Sequence, residues 1–172
     1  MKNNNIYLST TFAKDNTPVS KVLNFCKKNN INNIELGSNH SFEKNYYKIC
    51  KKYNFNYLVH NYFPIPKKSF IVNVASLDKK IREKSILHVK KCIRFTKSIN
   101  SKLYTFHPGF AEDPISANNN VKNYDFVWSK FKKNNYKNVF KQMIISLKEI
   151  SRYAKQKSVN IAIETEGSFK KK

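Results

Sequence analysis

The stretch LYTFHPG (Leu103–Gly109) sets a short run of strand-forming residues directly against a histidine, a proline and a glycine. Aromatic and β-branched residues favour a pleated, half-buried ladder. Pro108 cannot donate to such a ladder, and Gly109 allows a sharp turn, so the strand must stop at His107. Upstream, YLVHNYFPIP (Tyr57–Pro66) repeats the design with His60, and two prolines end the run. Downstream, VNIAIETEG (Val159–Gly167) ends a third apolar run at Glu164. Three strands therefore carry a polar, potentially ligating side chain at the C-terminal tip.

Working outward, strand-like runs alternate with amphipathic ones. IYLST (Ile6–Thr10) predicts a first strand, and Thr17-Pro18 predicts the cap and first position of a helix. Val19, Val22, Leu23 and Cys26 follow at i, i+3, i+4 and i+7, an apolar stripe on one helical face. NNIELGS (Asn32–Ser38) reads as a second strand, and Ser41 as the cap of a helix carrying Tyr46, Ile49, Cys50 and Tyr53. Ser76 is placed to cap a long helix reaching Ser98, with Ile81, Ile86, Val89 and Ile93 on its apolar side. A last helix, from about Asn138 to Ser158, carries Phe140, Met143, Ile144, Leu147 and Ile150.

Strand and helix alternating at this spacing predict βαβ units and a parallel sheet, in a doubly wound fold or a barrel. No glycine-rich phosphate loop follows the first strand, and the chain has only three glycines, which disfavours a nucleotide-binding doubly wound sheet. Polar residues gathered at successive C-terminal strand tips favour a (β/α)8 barrel of the TIM type. A closed eight-stranded barrel takes about 250 residues. The 172 present accommodate five strands. The expectation is one domain over residues 1–172, a barrel truncated after its fifth strand, with strands six to eight absent and an open edge available for self-association.

Thirty-three Lys and Arg against 11 Asp and Glu give a formal charge of +22. A polyanionic partner is one reading. The other is composition, since lysine and asparagine occupy nearly every polar surface position and arginine, the residue suited to bidentate phosphate recognition, is scarce. The compositional reading is favoured. No apolar run is long enough for a membrane span or shaped as a signal peptide, and Cys26, Cys50 and Cys92 show no metal or disulfide spacing. A cytoplasmic protein with reduced, buried thiols is expected.

Neighbouring parallel strands lie about 4.8 Å apart, so His60, His107 and Glu164 can aim at one point. Two imidazoles and a carboxylate form an open ligand set for a catalytic divalent cation: zinc by the nitrogens, with manganese or iron as alternatives. Glu35, inside the apolar run NIEL, requires a partner: a substrate hydroxyl, a neighbouring site group or a lysine. Asn61 and Ser9 are candidate mouth-lining residues, Asn61 for substrate. His40 and His88 are expected to be structural, although His40 follows the second strand near the mouth. Glu166 shares a face with Glu164 only if the strand continues past it. The segment from Ala111 to Asn138 is long for a strand-to-helix link, and Tyr124, Phe126 and Trp128 alternate in it among charges. A lid with one apolar side and a base-stacking surface both fit that pattern.

The segments VHNYFPI, NVASLDKKIREKSILHVKKCI, YTFHPG and IAIETEG, in this order, resemble the xylose isomerase-like TIM barrels. That superfamily unites sugar-phosphate isomerases and epimerases with endonuclease IV. In the endonuclease branch the resemblance implies that His60, His107 and Glu164 are zinc ligands, Glu164 bridging to a second metal. In the isomerase branch it implies that Glu164 binds the metal and is catalytic, taking part in proton transfer at a sugar carbon, while the histidines line the substrate pocket. The family's remaining ligands belong to strands six to eight. The isomerase branch, acting on a sugar or sugar phosphate, is the expectation. An abasic-site DNA endonuclease and an inactive truncated product are the alternatives.

Overall fold

The computed structural model describes residues 6–117, 126–128 and 135–164. Five parallel strands form the main sheet: β1 (Leu8–Ser9), β2 (Asn33–Leu36), β3 (Asn56–His60), β4 (Leu103–Phe106) and β7 (Asn160–Ile163). They lie side by side in chain order. A doubly wound sheet must reverse its strand order at some point. This one does not, so every crossover steps the same way, as in a barrel wall. The helices α1 (Val19–Lys28), α2 (Tyr46–Lys51), α3 (Lys79–Ser98) and α4 (Tyr136–Gln156) fill the connections. A separate antiparallel ribbon pairs β5 (Ser116–Ala117) with β6 (Phe126–Val127).

Alternation along the strands separates two faces. Ile34, Leu36, Tyr57, Val59, Tyr104 and Phe106 are buried and join Val19, Leu23, Val89 and Ile93 of the helices in one core. The opposite parity, Asn33, Glu35, Leu58, His60, Leu103 and Thr105, is only partly covered. That second face is the inner wall of the barrel, and the site stands at its C-terminal end.

The predicted helices form, but their caps differ. α1 begins after Pro18, and Thr17 provides no side-chain cap. The carboxylate of Glu43 does so from a distance in sequence, accepting from Ser20 N–H at 3.0 Å and from the Ser20 hydroxyl at 2.5 Å. An acidic group there also complements the positive end of the helix dipole. Ser41 does not cap α2: Asn45, in the left-handed region at φ 63°, precedes it, and the Ser41 carbonyl accepts from Tyr46 Oη. Asp78, not Ser76, caps α3, accepting from the backbone of Lys80 and Ile81. On α4 the buried stripe runs through Val139, Ser146, Ile150 and Ala154, while Phe140 is about half exposed. Small residues on that stripe let α4 lie close to α3, and Lys90–Glu149 and Arg94–Tyr153 contacts join the two helices. The first strand is also shorter than expected, because a 3-10 turn (Thr10–Phe12) replaces its end.

The three cysteines are free and buried. No helix among the described residues is long and apolar enough to cross a membrane.

Candidate metal centre

His60 is the last residue of β3 and pairs with Thr105 in register, which pairs in turn with Ala162. His107 and Glu164 each lie two residues beyond those partners, so all three side chains project from one face at adjacent strand tips. The ladder extends to the site itself, since Glu164 N–H donates to the Phe106 carbonyl at 3.1 Å. One ligand atom from each of His60, His107 and Glu164 falls within 4.8 Å of the others.

The carboxylate of Glu164 is wedged between the rings: Oε1 is 3.3 Å from His60 Nδ1, and Oε2 is 3.9 Å from His107 Nε2. The rings stand nearly perpendicular, 5.6 Å between centroids. His107 Nδ1 lies 3.3 Å from the Glu164 carbonyl oxygen. A carbonyl only accepts, so Nδ1 carries the proton and the Nε2 lone pair faces the carboxylate. A free imidazole lone pair turned toward a carboxylate is a donor pair of the kind that binds a divalent cation. Donors on one zinc ion sit about 2.0–2.2 Å from it. With two imidazole nitrogens and a carboxylate oxygen no more than 4.8 Å apart, the donor chemistry and spacing fit a divalent cation.

Sequence reasoning missed Thr105. Its hydroxyl is 2.8 Å from His60 Nδ1 and fixes the orientation of that ring. The signal was present: Thr105 precedes His107 by two, so both occupy the same face of β4, beside His60. Second-layer contacts of this type commonly orient ligating histidines. The turn after His60 is also fixed. Asn61 takes a positive φ of 51°; its N–H donates to the Thr105 carbonyl at 2.7 Å, and its own carbonyl accepts from Tyr104 Oη at 2.7 Å.

The other candidates divide. Glu35 sits on the inner face of β2 beside Leu58, partly covered, and outside the three-residue cluster. Ser9 pairs with Glu35 in register, and its hydroxyl contacts that of Thr11 at 3.0 Å. His40 does not face the mouth. It is buried, with Nδ1 2.9 Å from the Thr17 carbonyl and Nε2 2.8 Å from the Thr10 hydroxyl, which accepts from Gly37 N–H. His40 therefore ties the tips of β1 and β2 to the start of α1. His88 is buried in α3 between the rings of Tyr62 and Phe70, and burial, with Lys91 and Lys84 nearby, pushes its pKa down to about 4. Glu166 and Tyr124 lie outside the described residues. Phe110, Phe126 and Trp128 form an edge-to-face trio with centroids 4.9–5.8 Å apart, giving the ribbon segment an apolar side.

A parallel wall with this order of strands and these tips agrees with what comparison finds. The model of the xylose isomerase-like TIM barrel family matches residues 25–171. The chain belongs to that family. Its fold is shared with a D-tagatose 3-epimerase-like protein at a TM-score of 0.64 and 15% identity, over 95% of this chain and 53% of that one. An L-ribulose 3-epimerase aligns at a TM-score of 0.61 and 8% identity, over 92% of this chain and 48% of the other. In sequence, a stretch of 82 residues is 38% identical to apurinic-apyrimidinic endonuclease 1 of Plasmodium falciparum (isolate 3D7), spanning 48% of this chain and 12% of that protein. The chain thus spans about half the length of these solved structures and a smaller part of the endonuclease.

Proposed function

We propose that this family member supplies the metal-binding wall of a sugar or sugar-phosphate isomerase or epimerase. In this reading residues 1–172 form one unit carrying five barrel strands. The observation that carries it is the convergence of His60, His107 and Glu164, with the Glu164 side chain 44% exposed at the mouth. Zinc or manganese would be held by those residues and would polarise a sugar carbonyl. Thr105 and the Glu164 main chain orient the imidazoles. The Glu164 carboxylate takes the proton from the carbon beside that carbonyl, and its exposure leaves it open to substrate. An isomerisation returns the proton to the neighbouring carbonyl carbon, whereas an epimerisation takes its replacement from a second donor on the opposite face. Glu35 and Asn61, on the inner wall and at the rim, are the groups proposed to bind sugar hydroxyls.

A second reading, metal-dependent cleavage beside abasic sites in DNA, draws on the 38% identity with the Plasmodium falciparum endonuclease and on the basic surface. Purified protein, analysed for metal and loaded with Mn²⁺ or Zn²⁺, distinguishes the two. Incubation with D-tagatose or L-ribulose in D2O should place deuterium at carbon 3, and an abasic-site duplex should remain intact. Nicking without exchange establishes the second reading. Bound metal with neither activity leaves a half-site without turnover. A protein that binds no divalent ion, or one whose binding survives the His60→Ala/His107→Ala double change, refutes both metal readings.

A further inference from the structure

We propose that Asn73 is a positioning residue for His107, clamping the turn that leaves β4 so that this imidazole is presented to the metal. The proposal rests on the reading of His107 as a ligand. Asn73 lies in the connection between β3 and α3, far from His107 in sequence, and is 1% exposed.

Every polar atom of its side chain is used. Nδ2 donates to the Phe110 carbonyl at 3.2 Å and to Asp113 Oδ1 at 2.8 Å. Oδ1 accepts from Phe110 N–H and from Ala75 N–H, both at 3.1 Å. One amide thus holds both main-chain groups of Phe110, three residues after His107. The neighbouring backbone adds a bond from Val74 N–H to the Pro108 carbonyl at 3.0 Å. The clamp is itself anchored to α3, because Asn73 N–H donates to Ser85 Oγ at 2.9 Å. Asp113 is gripped a second time by Ser76 Oγ at 2.7 Å.

The fit is close enough to dictate the residue opposite. Gly109 has φ 125°, and a methyl group on it would sit 2.1 Å from Asn73 Oδ1 and 2.8 Å from Asn73 Cα. The glycine admits the amide, and the amide fixes the turn. Its four bonds have one consequence for the site: they set where the chain departs from β4 and hence the direction of the His107 ring. His60 has its own supports, Thr105 and the Asn61 turn, and does not share this clamp.

The test compares wild type with Asn73→Ala, and with Thr96→Ala, which removes a buried hydroxyl near the opposite end of α3. Co²⁺ binding is followed by its visible absorption, and the His60 and His107 ring signals by NMR of the metal-free protein. Asn73→Ala should weaken Co²⁺ about 10–100-fold, the usual range for losing an outer support of a ligand. It should also displace the His107 ring signals and unprotect the Phe110 amide, leaving His60 nearly unmoved. Thr96→Ala should change Co²⁺ affinity less than threefold. If wild type binds no Co²⁺, the metal reading fails and the NMR arm alone decides the clamp. Asn73→Ala with unchanged His107 signals and Phe110 protection overturns the proposal, as does an equal loss of Co²⁺ affinity in both variants. If Asn73→Ala does not fold, Asn73→Asp replaces it. That variant keeps the shape but faces Asp113 with a second carboxylate, and the same outcomes apply.

Discussion

Replacing His88 by glutamine should flatten the acid side of the stability profile. The wild-type imidazole is packed between Tyr62 and Phe70 and lies 3.4 Å from Cys92 Sγ, with Lys84 and Lys91 nearby. Burial favours the neutral ring, and the lysines add repulsion against the charged one. Its pKa therefore falls from 6.5 to about 4 in the folded chain. Below pH 6.5 the unfolded chain gains a proton that the folded chain refuses until about pH 4. Stability from this group is complete above pH 6.5 and is lost as pH falls toward 4. At about 1.4 kcal/mol per pH unit, the interval corresponds to a loss on the order of 3 kcal/mol. His40, also pushed down by burial, acts in the same direction and remains in the variant. Urea unfolding followed by circular dichroism from pH 7.5 to 4 gives both profiles. Wild type should lose most of that increment across the window, and His88→Gln should lose markedly less. Equal slopes would refute the reasoning. So would a wild-type His88 ring signal that titrates above pH 6 in NMR, a measurement that stands even if the variant folds poorly.

Gly109→Ala should cost roughly 2–4 kcal/mol, from backbone strain at φ 125° and overlap with Asn73; a urea midpoint near that of wild type counts against the close fit. Glu43→Ala removes the remote cap of α1 and should lower stability by about 1–2 kcal/mol. Hydrogen exchange should then rise first at the amides of Ser20 and its neighbours, and unchanged protection there would show that the cap is dispensable. Phe110→Ala opens the aromatic trio and should shift emission of Trp128, the only tryptophan, to longer wavelength; emission unchanged from wild type would mean the ring was never packed.

Much of this fold is legible along the chain because it follows local periodicity. The stripe Val19, Val22, Leu23, Cys26 is buried as its spacing requires, and the runs ending at His60, His107 and Glu164 become adjacent parallel strands. Helix starts were less legible, because capping groups arrive from elsewhere. Glu43 reaches Ser20 across 23 positions, and no local pattern reports such a contact. His40 is the structural residue expected from the sequence, but its partners, Thr17 and Thr10, lie 23 and 30 positions away and are not visible in any local pattern.

What the sequence by itself determined was which residues end each strand and which face of each strand they share, because side chains alternate with a period of two and prolines and glycines stop the ladder. What only the tertiary structure decided was which of those ends meet. Consecutive strand order put His60, His107 and Glu164 on neighbouring tips and left Glu35 outside their cluster. Buried amides and hydroxyls such as Asn73 and Thr105 then fixed the ring directions, through hydrogen bonds that water would otherwise have satisfied and that burial makes costly to leave unmade.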